Sequence, residues 1–507
     1  MEIRERSGMS AEEGDVIKKG THSLCFNLGF FILAFVLMGI VMWLPSPEPL
    51  SRASETIPLS FEAKAVLALL LAAVVLWITE VIPFSITALL IMLLIPVFGI
   101  DSFSNVISMG FGNKIIAFFI GVLILSSAFS RSGLGPRLSL LILRVMGTKT
   151  NMVILGFLIV GVVLSMWITD MAVAAILLPL GVSILKQCGV RPLESNFGKA
   201  LMISCAWGPH IGGIATPAGC GPNPLTIGFL KELAGINVDF VTWMSMGLPA
   251  AILMVPVAWF ILTRMFPPEI DRVPIEQDKI RQGMKEMGPL NKKEKWTTII
   301  FGVTIFLWVM SPFIKEISNG IIDMPMQAIA LFGAMILFVP GIEVISWRQA
   351  QSDVDWGGIV LICAGISLGM VIYHTGAARW LSWILLSPIV QLPDVLRVFA
   401  IVLGVSLLHV AFSSNTVTGT IIIPLLIALA SDLHINPWLI CAPAAFTSSL
   451  AFILVTETPT NVIPYSAGYF SIGDMVKTGI VMTFAAAVCL GISILVFGNL
   501  IGTYSTM

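Results

Sequence analysis

Trp167-Ile168-Thr169-Asp170-Met171-Ala172, with Pro179 beyond it, and Phe412-Ser413-Ser414-Asn415-Thr416-Val417, with Pro424 beyond it, are two copies of one pattern at an offset of 245 residues. Each sets a short polar break in a long apolar stretch. The surroundings say what such a break means. Of 507 residues, 57% are hydrophobic and 11% charged, against roughly a quarter charged in a soluble domain. Apolar runs of about 20 residues, enough to cross a bilayer as helix, recur from Cys25 to Leu500. A break inside such a run frees backbone groups where no water can satisfy them, and is tolerated only against protein or a water-filled cavity.

The basic residues assign sides. The polar insert 264–296 carries Arg264, Arg272, Lys279, Arg281, Lys285, Lys292, Lys293 and Lys295, which the positive-inside rule places in the cytoplasm. Arg131, Arg137, Arg144 and Lys149 precede the first broken run, and Lys186, Arg191 and Lys199 follow it. That run therefore enters and leaves by the cytoplasmic face as a re-entrant hairpin. Between Arg397 and Lys477 there is no Lys or Arg, so the second broken run is a hairpin from the opposite face. The expected fold is an all-α membrane protein with about eleven transmembrane helices, two re-entrant hairpins, two unwound helices, the N-terminus cytoplasmic and the C-terminus extracytoplasmic. For a bacterial chain the location is the inner membrane.

Two further matches extend the repeat. Ser132-Gly133 with Arg137-Leu138-Ser139 falls over Thr375-Gly376 with Arg379-Trp380-Leu381-Ser382, and Gly221-Pro222-Asn223 over Pro459-Thr460-Asn461 at an offset of 238. The expected organisation has a cytoplasmic segment over 1–24 and a first helix and loop over 25–56. Repeat 1 follows over 57–263 (tip near 168–172, unwound loop 212–223), then a cytoplasmic linker 264–296 and an inverted repeat 2 over 297–507 (tip near 413–417, unwound loop 456–461). The arrangement is that of a secondary transporter with a midplane site. Thr169 and Asp170, and Ser414, Asn415 and Thr416, stand at the half-helix starts, where free N–H groups and the helix dipole attract an anion. The net charge of −1 gives no reason to expect nucleic acid. Seven cysteines without a CxxC pair suggest neither disulfides nor zinc. No nucleophile triad, metal-ligand spacing or ATP-binding motif points to an enzyme or a pump, and no cofactor is expected.

Ser414-Asn415-Thr416, Trp77-Ile78-Thr79-Glu80-Val81-Ile82-Pro83 with Thr87-Ala88-Leu89-Leu90, Glu457-Thr458-Pro459-Thr460-Asn461, Gly133-Leu134 with Arg137, and Asp355-Trp356-Gly357 through Gly365 together resemble the divalent-anion:sodium symporter family, transporters of succinate, citrate and related dicarboxylates. The resemblance implies a small anionic substrate held at the tips by Thr169, Asp170, Ser414, Asn415 and Thr416 and by Thr458 and Pro459 of the second loop. It implies sodium beside each tip, at Asp170 and Asn415, completed by backbone carbonyls of the unwound loops at Gly213 and Glu457; the position of His210 just before the first loop adds it to the ion-coupling residues with Asp170. The resemblance also implies a lipid-embedded homodimer moving as an elevator.

The first tip departs from the family pattern: Thr169-Asp170-Met171 replaces Ser-Asn-Thr, so an amide becomes a carboxyl and a hydroxyl a thioether. An ionised Asp170 about 4 Å from a substrate carboxylate costs about 4 kcal/mol at an effective dielectric of about 20, close to a thousandfold in affinity. Three resolutions stand open: Asp170 holds a cation, Asp170 carries a proton that His210 can share, or the substrate is smaller or less charged. The functional expectation is a secondary transporter of a C4-type dicarboxylate by sodium symport, proton coupling or anion exchange. The rival is a cation/proton antiporter using Asp170 as its ion-binding carboxyl.

Overall fold

A computed structural model describes residues 24–52, 55–274, 287–390 and 392–500. The expectations for the segment before Leu24, for linker residues 275–286 and for the end beyond Leu500 lie outside the described residues. Apart from a small antiparallel hairpin, Leu50–Arg52 against Glu55–Ile57, every regular element described is helical. That follows from a bilayer, where a helix satisfies its own backbone. Nine of the described helices are long and apolar enough to span. Others, such as Phe84–Val97 and Met326–Ile336, are shorter than the apolar runs that contain them.

Element order repeats. Phe61–Thr79, Phe84–Val97, Phe103–Phe111, Lys114–Ser132 and Leu134–Met146 are followed by the paired helices Thr150–Ser165 and Asp170–Gln187; Lys292–Ile317, Met326–Ile336, Trp347–Asp353, Trp356–His374 and Ala377–Val390 are followed by Asp394–Val410 and Asn415–Asp432. After each pair comes a broken helix, Asn196–Gly213 with Pro222–Ala234 and Pro437–Thr447 with Pro459–Tyr465, and then a long span, Phe240–Met265 or Ile472–Leu500. The second break opens at Thr447, earlier than the 456–461 expected from sequence. Four short helices, two per copy, went unread. In Leu134–Met146 the charges of Arg137 and Arg144 interrupt the apolar run. At its start Gly133 adopts φ 95°, and Gly376 adopts φ 79° at the equivalent corner, a left-handed conformation that glycine enters without steric cost.

The hairpins are anchored on different faces. Thr150 N–H donates to Asp271 O at 3.1 Å, and Arg137 pairs with Glu294 at 2.8 Å while reaching the Gly288 carbonyl at 2.9 Å, so the base of the first hairpin lies beside the basic insert. The span Trp356–His374 then crosses to the other side, where Asp432, at the base of the second hairpin, accepts from Arg379 at 2.8 Å and Trp383 at 2.6 Å.

The N-terminal half of the first broken helix lies almost in backbone contact with its hairpin. A Cβ on Gly161 would sit 2.8 Å from the Gly208 Cα, and one on Gly212 would strike the Val162 carbonyl. Small residues permit this approach, which is how helices gain packing in a bilayer that offers no hydrophobic drive. Gly212→Ala should therefore destabilise the protein by roughly 1–3 kcal/mol through overpacking, read as a lower unfolding temperature in detergent. An unchanged midpoint would show that the crossing can relax.

Candidate functional site

The polar breaks meet at one cavity of about 770 Å³, lined by residues 169–172 and 413–416 of the two tips, 218–221 of the first loop and 458–460 of the second. Asp170 begins its helix after Thr169, Asn415 begins its own after Ser414, and Pro459 follows Thr458 at the start of a third. Three helix N-termini thus converge, each carrying free N–H groups and about half a positive charge. All seven substrate-binding candidates, Thr169, Asp170, Ser414, Asn415, Thr416, Thr458 and Pro459, line this space. Gly213, His210 and Glu457 do not line it. The Glu457 carboxylate turns back to accept from Ile453 N–H at 3.2 Å.

The unwound loops are held by a pair of asparagines. Asn223 donates both amide hydrogens to backbone carbonyls, Gly213 O at 2.7 Å and Thr216 O at 2.8 Å. Asn461 does the same to Ala451 O and Leu454 O, each at 2.9 Å. Every one of these partners is related by the offset of 238 that relates the asparagines themselves. Their side-chain oxygens reach across the repeat: Ser449 Oγ donates to Asn223 at 3.2 Å, and His210 Nε2 lies 2.9 Å from Asn461 Oδ1. The packing crosses as well. The second half-helix of each broken pair lies against the other copy's hairpin, and a Cβ on Gly221 would meet Thr416 Oγ1 at 2.7 Å.

This network fixes the histidine. With both Asn461 hydrogens spent on carbonyls, its oxygen faces His210, so Nε2 carries the hydrogen. His210 Nδ1 then faces the Asp170 carboxylate at 3.5 Å with no hydrogen bond of its own. One proton placed between them turns a lone-pair repulsion into a charge-assisted contact. Asp170 Oδ1 meanwhile accepts from Met171 N–H at 2.9 Å, so the first tip's helix N-terminus already has a carboxylate on it. The second tip has none. Ser414 Oγ and Thr458 Oγ1 cap their helices only at 3.4 Å.

Two further participants stand outside the residues expected from sequence. Cys220 lies between the tips, its Sγ 3.3 Å from Asn415 Nδ2 and 3.9 Å from Asp170 Oδ2. The signal was available, since 238 residues on from Cys220 stands Thr458. His409, fully buried, sits 3.0 Å from Asn415 Oδ1, and nothing in the repeat marks it.

Towards the mouth Arg131 is the one basic residue lining the cavity among the described residues. It forks onto Asp353 at 2.5 and 2.6 Å, while Asp355 accepts from Gly358 N–H at 2.8 Å as an N-cap. The arginine's hydrogen bond, opposed by desolvation and helped by Ser127, holds the Asp353 carboxyl below the usual carboxylate range. Of the three lining carboxyls, Asp353 is answered by Arg131 and Asp355 by the Gly358 N–H of the helix it caps, while Asp170 has the Met171 N–H and the edge of the His210 ring.

A family model described as the sodium:sulfate symporter transmembrane region matches residues 27–504. The chain is 31% identical over 441 residues to the sodium-dependent dicarboxylate transporter SdcS of Staphylococcus saprophyticus, with 83% of each chain covered. It is 30% identical over 448 residues to SdcS of Staphylococcus aureus, with 85% of each covered. Among solved structures, the YdaH transporter of Alcanivorax borkumensis superposes with a TM-score of 0.55 at 14% identity, over 94% of this chain and 98% of that one. MtrF of Neisseria gonorrhoeae gives 0.54 at 14% identity, over 92% and 94%. At that identity the likeness concerns the fold.

Asn223→Asp or Asn461→Asp keeps the shape but removes the amide donor, leaving two carbonyls unanswered. Each should cost roughly 1–3 kcal/mol per orphaned group and abolish transport, checked by thermal unfolding and uptake on the same preparation. Asp353, with its native pKa depressed, stabilises above the ordinary carboxylate value of about 3.9 and loses that contribution as pH falls through its lowered native value. Asp353→Asn should therefore lie below wild type in melting temperature from pH 7 to pH 5, the gap closing only under about pH 4. A gap that closes by pH 6 would refute the pairing.

Proposed function

The chain belongs to the sodium:sulfate symporter family, the divalent-anion:sodium symporters, and from that membership we propose that it is a cation-coupled secondary transporter of a small dicarboxylate of the C4 class. The observation that carries this reading is the unequal pair of hairpin tips at one cavity. At the second tip, Ser414, Asn415 and Thr416 with Thr458 offer hydroxyl and amide contacts around helix N-termini that no protein carboxylate occupies, a setting that receives a carboxylate without a basic side chain. At the first tip Asp170 takes the place of such a guest. A dianion that spans the cavity brings its second carboxylate towards Asp170, so a cation must enter there with it. This makes substrate binding and cation binding mutually dependent, which is the thermodynamic requirement for coupling.

Sodium is the leading candidate for that cation, because the SdcS relatives are sodium-dependent and a carboxylate is a good ligand for a hard ion. Its ligands would be Asp170 at the first tip and Asn415 at the second. A specific observation favours a second reading for the first tip: the hydrogen on His210 Nε2 leaves Nδ1 facing Asp170 at 3.5 Å, an arrangement completed by one proton. The cation/proton antiporter reading leaves the second tip without a task. Alternating access follows as an elevator movement of the crossed hairpins and broken helices against the remaining spans, within a homodimer.

The test is uptake of labelled succinate into proteoliposomes under a sodium gradient, under a proton gradient, or with internal dicarboxylate alone. Uptake driven by the sodium gradient is expected, and its absence under all three conditions overturns the proposal. Asp170→Asn distinguishes the cations: with sodium at the first tip the sodium dependence weakens, whereas with a shared proton the pH dependence disappears and sodium-driven uptake persists. A variant with wild-type dependence on both removes Asp170 from the coupling.

A further inference from the structure

A second cavity, of about 430 Å³, lies away from the tips between the first span, the helix Phe61–Thr79, the short helix Ala377–Val390 and the second hairpin. Every residue lining it is aliphatic or proline except Lys64 and Trp380. Lys64 is only 8% exposed. Its ammonium donates to the carbonyls of Met42, at 3.0 Å, and Leu44, which leaves a third N–H, and no acidic side chain among the described residues pairs with it. Trp380 Nε1 is buried with no hydrogen-bond partner. A buried cation answered only by carbonyl dipoles is a costly arrangement, and an anion removes most of the cost.

The depth of the groove says what kind of anion fits. Lys64 stands in the first turn of its helix, and Leu67, Leu71 and Val74 continue along the same face of the groove, carrying the apolar lining about 15 Å farther along the helix at 1.5 Å per residue. Val41 of the first span, and Leu44 just past its end, follow in parallel on the other wall. One charge at the end of a helix, with an aliphatic channel running inward from it, has the form of a phospholipid with its phosphate at the interface and its acyl chain below. We propose that this groove is a binding site for an anionic phospholipid, with the phosphate on Lys64 and Trp380 Nε1 and one acyl chain along Leu67, Leu71 and Val74. Ile421 of the second hairpin forms part of the wall, so the lipid touches an element of the transport site as well as the peripheral spans. A small soluble phosphate satisfies Lys64 but leaves the channel empty, and the groove contains nothing else polar to hold it.

Native mass spectrometry of the full-length purified transporter, carried out with phosphatidylglycerol and with phosphatidylcholine, tests the site. Wild type should retain phosphatidylglycerol in preference. Lys64→Met should weaken that retention about fivefold, the worth of one lysine near an anionic surface. Leu71→Trp, which blocks the channel and leaves Lys64 in place, should weaken it too, and this keeps the test open if Lys64→Met does not fold. Glycerol phosphate, which has no acyl chains, should fail to displace the lipid. Equal retention of the two lipids by wild type, unchanged retention in both variants, displacement by glycerol phosphate, or a groove closed by a second copy and empty of lipid would each overturn the proposal.

Discussion

A helix that stops inside a bilayer must find donors for the carbonyls it abandons, and in this protein one side-chain amide per copy supplies them. Asn223 and Asn461 each gather two carbonyls of an unwound loop, which makes a break in the helix a defined shape. Everything at the site depends on that shape. The loops set the depth at which Pro222–Ala234 and Pro459–Tyr465 restart, those helices pack on the opposite hairpins, and the hairpin tips are thereby brought to one cavity. An apolar side chain at either position would leave the two carbonyls of that loop with no answer from water or lipid.

The repeat makes the two copies comparable, and the comparison exposes a difference in charge. The dipole at the first tip is already answered by Asp170 through the Met171 N–H, while the second tip keeps Ser414 and Thr458 in long, weak caps that a stronger acceptor can displace. An N-terminus is strongest as an anion site when its own side chains compete least for its N–H groups. The architecture is nearly symmetric, but the electrostatics assign the halves different work: the histidine that meets the second tip, His409, comes from the hairpin itself, and the broken helix of the second copy has none where the first has His210. Its place at the offset of 238 is taken by Ser448.

Much of this was legible in the sequence because it follows from local rules. Apolar run length gave the spans, polar residue types within those runs gave the tips, and the recurrence of Pro and Asn gave the second pair of breaks. The less legible features involve contacts between distant residues. That Asn461 orients His210 depends on a separation of 251 residues, and Cys220 meets Asn415 across 195. Neither pairing has a period or a motif. The short helices Leu134–Met146 and Ala377–Val390 are hidden for another reason: they lie outside the long apolar runs, and their charged and polar residues break the hydropathy that marks a span. The second loop was placed too late because the stretch from Ser448 to Leu454 is apolar enough to read as continuing helix, whereas its backbone is in fact tied to Asn461.

The crossed bonds from His210 to Asn461 and from Ser449 to Asn223 also bear on how the chain comes into being. When His210 leaves the ribosome, its partner is 251 residues away, which at about 5–20 residues per second is roughly 10–50 s of synthesis. Through that interval the first hairpin and its broken helix are in the membrane with an imidazole and an asparagine oxygen that the second half has yet to meet. The first copy is therefore incomplete until the second half has been made. The two halves must reach their final structure together, late, once the last broken helix has arrived.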